Sequence, residues 1–210
     1  MTSSYLDIAT TPAVRLAQEA SGSAQLYEKI AAKRRTDRLG VAEAEFIAAR
    51  DSFYMASVSE TGWPYVQHRG GPPGFLTLLD DKTLAFADYS GNRQYISLGN
   101  TTGNDRVALI MMDYAHRRRL KLYARIEVRD LDTDPALAAR LSHPEYRAVS
   151  ERAFFLHFEA SDWNCPQHIT PRYNEIEIAA ASAPLTARVA ALEIENATLL
   201  AALANQNGQS

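Results

Sequence analysis

The amino-acid sequence predicts a mainly β fold: an antiparallel barrel, closed or nearly closed, with helices before it and a coiled-coil-like helix after it. Three observations predict this. Short apolar runs, about six of them, are joined by tight turns, and that pattern favours barrel closure. Residues 1–40, ahead of those runs, are Ala-rich and charged, with apolar positions at helical spacing. Beyond the runs, Leu185, Val189, Leu192, Asn196, Leu199 and Leu203 recur at alternating spacings of four and three.

Thr11-Pro12 opens a first helix, with proline at the first helical position, where its missing N–H costs nothing. After Ser21-Gly22-Ser23, a second helix fits Ala24 to Arg35, with Leu26, Tyr27 and Ile30 on one side. Lys33-Arg34-Arg35 suits the negative end of its dipole and reads as a solvated terminus. Val41 to Arg50 is a third helix, with Phe46 and Ile47 turned to the core. Phe53 to Val58 is strand-like; Glu60-Thr61-Gly62-Trp63 is a turn, and Pro64 to Gln67 runs back to complete a hairpin. Leu76 to Leu79 and Thr83 to Ala87 repeat the arrangement around Asp80-Asp81-Lys82. Asn92 to Leu98 suits a short helix. Arg106 to Tyr114 and Leu120 to Val128 are longer strands either side of His116-Arg117-Arg118-Arg119.

Asp134 to Leu141 is a helical excursion, capped by Asp132 or Thr133, with Pro135 in its first turn. Phe154 to Phe158 returns to strand, Ser161 to Tyr173 is a loop, and Ile176 and Ile178 mark a last strand. In the tail, with Leu185 at heptad position d, the a positions are Val189, Asn196 and Leu203 and the d positions are Leu185, Leu192 and Leu199. One central Asn at a is a device for fixing register and two-strandedness. The last residues, Asn205 to Ser210, are expected to fray. The organisation is an N-terminal helical extension over 1–40, a barrel domain over 41–180, and a C-terminal amphipathic helix over 184–204. That helix either pairs with a second chain or folds on its own barrel.

The chain of 210 residues is 46% hydrophobic and 22% charged, enough apolar content for a buried core. A net charge of −3 argues against a nucleic-acid or other polyanionic partner. The single cysteine, Cys165, excludes an internal disulfide and a multi-thiolate metal site. The histidines at 68, 116, 143, 157 and 168 have no ligand-like spacing, so no metal is expected. No basic-plus-apolar leader and no run near the roughly 20 apolar residues of a bilayer span is visible. A soluble, cytoplasmic protein without a membrane partner is expected.

Arg69-Gly70-Gly71 sets a planar fork of donors beside two residues that let backbone approach a ligand closely. Gly91-Asn92-Arg93-Gln94 puts a second arginine at the start of a helix, where free N–H groups favour an anion. Alone, the first reads as a surface turn and the second as a capped helix with an exposed arginine. Together, brought to one rim by the strands between them, they read as the wall of a phosphorylated ligand's site.

Three runs carry a resemblance: Asp51 to Ala56, Gly62 to Gly71 (GWPYVQHRGG), and Phe86 to Tyr95 (FADYSGNRQY). Asn104-Asp105-Arg106-Val107 and Asn164-Cys165-Pro166-Gln167-His168-Ile169 extend it. Over residues 40 to 180 the chain resembles the FMN-binding split-barrel family related to pyridoxamine 5′-phosphate oxidase. The resemblance implies a homodimer with two FMN sites at the subunit interface. It implies that Gln67, His68, Arg69 and Gly70 lie along the flavin and its phosphate tail. Ala87, Asp88, Asn92, Arg93 and Gln94 would then supply phosphate and ribityl contacts. Pyridoxamine phosphate oxidases usually carry Arg-Lys where this chain has Arg93-Gln94; one fixed charge is lost, to be replaced by Arg69 or the arginines at 117–119, with Arg119, ahead of the strand from Leu120, expected to be the one pointing inward. The loop with Trp163, Asn164, Gln167 and His168 would come from the second chain and close over the flavin ring.

A flavin performs the redox chemistry itself, so no catalytic triad is required and none is visible. The expected function is an FMN-dependent oxidoreductase moving hydride between flavin N5 and a small molecule, with catalytic residues unassigned. Where the family's substrate end carries Arg-x-His, this chain reads Ile169-Thr170-Pro171-Arg172-Tyr173, which argues against pyridoxamine phosphate as substrate. Two other readings accompany it: a flavin-binding or redox-sensing module without turnover, and a haem-binding branch of the same barrel. Cys165 lacks an adjacent base and reads as a small packed residue rather than a nucleophile.

Overall fold

The computed structural model describes residues 3–207. In chain order it contains β1 (Ser3–Ser4), α1 (Tyr5–Ala9), α2 (Pro12–Ala20), α3 (Ala24–Lys33), β2 (Arg35–Thr36) and α4 (Val41–Ala48). Then come β3 (Ser52–Val58), β4 (Pro64–Gly70), β5 (Thr77–Asp80), β6 (Thr83–Tyr89), α5 (Ile96–Gly103), β7 (Arg106–Asp113) and β8 (Arg118–Asp130). The last are α6 (Pro135–Leu141), β9 (Ser150–Trp163) and α7 (Glu175–Asn207). The chain divides after Ile169 into two compact units, the second being residues 170–210. The expected fraying over 205–210 falls partly on residues 208–210, outside the described residues; α7 is helical through Asn207.

β3 to β9 form one antiparallel sheet in the order β4-β3-β7-β8-β9-β6-β5. β3 and β6 lie four strand steps apart in that order, which is about 19 Å in a flat sheet. Yet Phe53 of β3 and Phe86 of β6 meet edge to face with ring centroids 5.2 Å apart, and Phe86 reaches Phe154 of β9 at 5.2 Å. The sheet therefore rolls up on an apolar interior, while its edge strands β4 and β5 remain unpaired with each other: a split barrel. Alternation decides which side chains fill it. Phe53 and Met55, Leu109 and Met111, and Leu120 and Leu122 are buried on the inner face. β6 is buried on both faces, because α6 lays Leu137 and Leu141 over Ala85 and Ala87 on its outer side.

The predicted helices before the barrel and the predicted strands from Phe53 to Phe158 are present, with boundary shifts. Residues 3–4 and 35–36 add a two-stranded ladder that the sequence reading lacked. The α6 cap is Asp134, whose carboxylate accepts from the Leu137 N–H, rather than Asp132 or Thr133. β9 runs from Ser150 to Trp163, well beyond the predicted Phe154 to Phe158, and takes in the start of the predicted loop. The strand expected at Ile176 and Ile178 is instead the first turn of α7. A reciprocal cap starts that helix: Asn174 Oδ1 accepts from the Glu177 N–H and Glu177 Oε2 from the Asn174 N–H, both at 2.8 Å. The Ala-rich run that follows sustains it. No helix among the described residues is long and apolar enough to cross a membrane.

Candidate functional site

The site lies at one end of the barrel seam. On β4, Gln67 and Arg69 point the same way by alternation, and on β6 Asp88 follows Leu84 and Phe86 on the inner face. Rolling the sheet brings the two strands together. Arg69 Nη1 donates to Asp88 Oδ1 at 2.5 Å, from the edge strand β4 across to β6. The Arg69 guanidinium also sits 5.3 Å from the ring centroid of Phe154. Arg152 of β9, in register with Asp88, approaches its other oxygen at 3.9 Å. Burial holds Asp88 above the ordinary carboxylate range; the two arginines pull it down without reversing the direction.

A register shift shapes the wall beside this cluster. Asp88 pairs with Arg152 but Tyr89 pairs with Ser150, so Glu151 is an extra residue bulged out of β9. The bulge turns Glu151 into the cavity, where it accepts from Tyr95 Oη at 3.2 Å and from Arg152 Nη2 at 2.6 Å. The cavity, about 180 Å³, is lined by Gln67, Arg69, Asp88 and Tyr89, by Gly91, Asn92, Arg93 and Tyr95, by Ser97 and Leu98 of α5, and by Glu151. A second space of about 150 Å³ shares Gln67, Arg69 and Tyr89 with it and adds His68, Gly70, Phe75, Phe86 and Ala87. Ser97 Oγ donates to Gln67 Oε1 at 2.8 Å, fixing the amide at the junction.

The loop between β6 and α5 is conformationally costly. Arg93 and Tyr95 both hold positive φ, 59° and 50°, a region that residues other than glycine rarely occupy. The predicted helix from Asn92 does not form. The Asn92 side chain accepts from the Gln94 N–H at 3.1 Å, making a local turn, and α5 starts only at Ile96. Arg93 thus stands on a strained loop ahead of the helix rather than in its first turn. On the other side, Pro72-Pro73-Gly74 makes a tight turn, with Gly74 at φ 84° and the Phe75 N–H bonded to Pro72 O at 3.0 Å.

Of the residues singled out in the sequence, Gln67, His68, Arg69, Gly70, Ala87, Asp88, Asn92 and Arg93 line these two joined spaces. Gln94 lines neither. Arg119 lies in β8 on the face opposite Leu120 and Leu122, away from the barrel interior and outside both linings. It is half-buried, whereas Arg117 and Arg118 are exposed. Arg118 covers the Trp163 ring at 4.8 Å. Trp163 is engaged within its own chain, donating Nε1–H to Glu43 Oε1 at 2.6 Å and meeting Phe46 edge to face. Asn164 is tied through its N–H to Arg119 O at 3.2 Å, while its side-chain Oδ1 is buried without a partner. Gln167 and His168 are exposed, and His168 holds φ 61°.

Sequence reasoning missed Glu151 and Arg152. They belong to no local motif: Glu151 reaches the cavity lining only through the β9 bulge, and Arg152, which lines neither space, approaches Asp88 through the β6–β9 register. The arrangement fits an anionic, hydroxyl-bearing ligand. Arg69 Nε, Arg152 Nη1 and Tyr89 Oη are buried without hydrogen-bond partners, an unusual set of idle polar atoms for one wall. Among the described residues no group of three or more His, Cys, Asp or Glu lies together to hold a metal ion.

A family model described as pyridoxamine 5′-phosphate oxidase matches residues 41–164. No curated protein matches the chain. Among solved structures, a protein from Lactobacillus delbrueckii named as a candidate pyridoxamine 5′-phosphate oxidase is 23% identical. The match covers 60% of this chain and 95% of that one, with a TM-score of 0.47. HupZ of group A Streptococcus is 14% identical, covering 64% of this chain and 100% of that one, with a TM-score of 0.46. An FMN-binding protein from Syntrophomonas wolfei is 12% identical, covering 57% and 81%, with a TM-score of 0.43.

Proposed function

Because the match over residues 41–164 makes this chain a member of the pyridoxamine 5′-phosphate oxidase family, we propose that it is an FMN-binding flavoprotein and an FMN-dependent oxidoreductase of small molecules. The observation that supports this reading is the convergence of Arg69 and Arg93, from two separate sequence motifs, on one cavity, where Arg69 Nε is buried without a partner. Bound FMN would supply an N5 that takes up or releases hydride. The chain's part is to bind and orient. Arg93, Arg69 and Arg152 hold the phosphate by charge-assisted bonds. Gln67, Ser97 and Asp88 serve the ribityl hydroxyls, Asp88 as acceptor. Gly70 and Ala87 leave room for close approach.

The assignment includes a homodimer. In it, Trp163, Asn164, Gln167 and His168 of one subunit cover the ring held by the other, and Arg119 lies at the junction. The small-molecule substrate meets the flavin there, out of bulk water.

The test is direct. The purified protein is titrated with FMN and with riboflavin, and flavin fluorescence is followed. Tight FMN binding with much weaker riboflavin binding is expected, since only FMN carries the phosphate. The loaded protein is then mixed anaerobically with NADH or NADPH, and bleaching of the flavin band marks turnover competence. A protein that purifies colourless and binds no added FMN overturns the reading. One that binds FMN but is never reduced is a passive binder.

A further inference from the structure

We infer that residues 185–203 of α7 form a parallel, in-register two-stranded coiled coil with a second copy of this chain. The inference stands on α7 alone and not on the flavin site. α7 is a 33-residue helix, and its Leu185, Val189, Leu192, Leu199 and Leu203 side chains are 44–69% exposed in the single chain. These residues recur at the 3.5-residue mean spacing that keeps a seam facing a partner helix along a left-handed supercoil. The seam is narrow. Its e flank carries Thr186, Glu193 and Leu200, and its g flank Arg188, Glu195 and Ala202. A helix laid on a globular core shows a broader apolar stripe that takes in one flank throughout. Here only Leu200 widens it.

The occupant and its direction follow from two polar features. In a parallel, in-register pair, Asn196 at a faces Asn196 of the partner subunit, and the two amides bond each other. In an antiparallel pair of the same six layers, Asn196 would face Leu192 and be buried without an amide partner, at the cost of an unsatisfied polar group. Charge points the same way. Parallel pairing sets Arg188 at g against Glu193 of the partner subunit, at e of the next heptad, and the symmetry makes this contact twice. Antiparallel pairing brings Glu193 and Glu195 of both chains together about the centre. Val at a with Leu at d further favours two strands. The start is also marked. Pro184 precedes the first d residue and, lacking an N–H, gives up one bond of the ladder at the seam's N-terminal limit.

The test uses the full chain carrying Cys165→Ser, so that no native thiol competes. Leu192→Cys is added and the protein is oxidised with copper phenanthroline; Leu199→Cys serves as a second reporter in case the first perturbs the helix. In the parallel register each d-layer cysteine faces its own copy, so either variant is expected to give a disulfide-linked dimer on a non-reducing gel. Adding Arg188→Glu should lower the cross-linked fraction about fivefold at matched times, through two symmetric pairs of ordinary exposed strength. Adding Glu193→Arg to that chain should restore it. The proposal is overturned by absence of the cross-link in both reporters. It is also overturned if Leu192→Cys links only to chains carrying Asn196→Cys, which is the antiparallel pairing. Indifference to the charge reversal likewise refutes the stated register.

Discussion

Arg69→Met removes the guanidinium that crosses the barrel seam and keeps most of the side chain's length. Arg69 and Asp88 retain only 14% and 9% of their side-chain exposure. Taking one member from a buried pair leaves the other's desolvation uncompensated, at about 3–5 kcal/mol. Arg152 remains 3.9 Å away, so the lower end, about 3 kcal/mol, applies here. Losing the cation over Phe154 and Phe86 adds about 1 kcal/mol. A sum of about 4 kcal/mol corresponds to roughly 8–16 °C in Tm for a chain of this size. The assay is thermal denaturation of flavin-free protein across a pH series, and the pH dependence carries the diagnosis. Asp88 already lies above the ordinary carboxylate value, and Arg69 is the leading influence lowering it, so the variant raises it further. Stability held by a carboxyl raised in the folded state is fully present below its unfolded value, about 3.9, and is lost as pH rises through the folded value. That loss is larger in the variant. The gap in Tm between the two proteins should therefore be widest near neutrality and narrow towards pH 4. An unchanged Tm, a gap independent of pH, or one that widens on acidification would refute the reasoning.

Arg93→Ala should weaken FMN binding by roughly 10- to 150-fold, the range of a charge-assisted contact, and leave riboflavin binding unchanged, as read by fluorescence titration. Arg152→Gln should lower FMN affinity by about tenfold with the same selectivity for the phosphorylated flavin; equal affinity for both flavins would remove Arg152 from the site. Gly71→Ala would set a methyl group 2.7 Å from Cγ and 2.9 Å from Cβ of Phe75, and overpacking of that kind costs about 1–3 kcal/mol in a denaturant titration. Cutting the chain after Ala183 should leave a flavin-binding dimer by light scattering, held by the barrels; a monomer would make the α7 seam the main contact.

Most of the barrel was legible because its strands are short apolar runs, alternating clearly in β3, β7 and β8, and its turns carry glycine, proline or aspartate. What was not legible has identifiable causes. Ile176 and Ile178 alternate with glutamates and so imitate a strand, while the signal that overrules them, Asn174 with Glu177 three residues on, is a capping pair outside the apolar pattern. The β6–α5 loop was read as helix because Asn92 suits a cap, but its side chain spends that bond on a local turn to Gln94. In the candidate site, the residues on β4 and β6 were found from their own motifs. Glu151 and Arg152 were not, because pairing with a strand some 60 residues earlier in the chain places both: the ladder sets Arg152 opposite Asp88 and its bulge turns out Glu151. The charge absent at Gln94 was sought at Arg119, which lines neither space; Arg152, which sequence reasoning did not single out, approaches Asp88 at 3.9 Å.

The seam that Arg69 and Asp88 clasp has a kinetic consequence. Elsewhere the barrel wall is a continuous ladder of backbone bonds, whose opening means unfolding strands. Between β4 and β5 there is no ladder, and beside the cavity a side-chain bond from β4 across to β6 is the fastener. Local excursions of a fold run through its least-bonded boundary, so amide exchange should be fastest along these two edges. The same boundary then acts as the door through which a ligand enters and leaves. Weakening the clasp without removing either residue's bond to the ligand would speed arrival and departure alike, changing how long a ligand stays more than how many sites it fills.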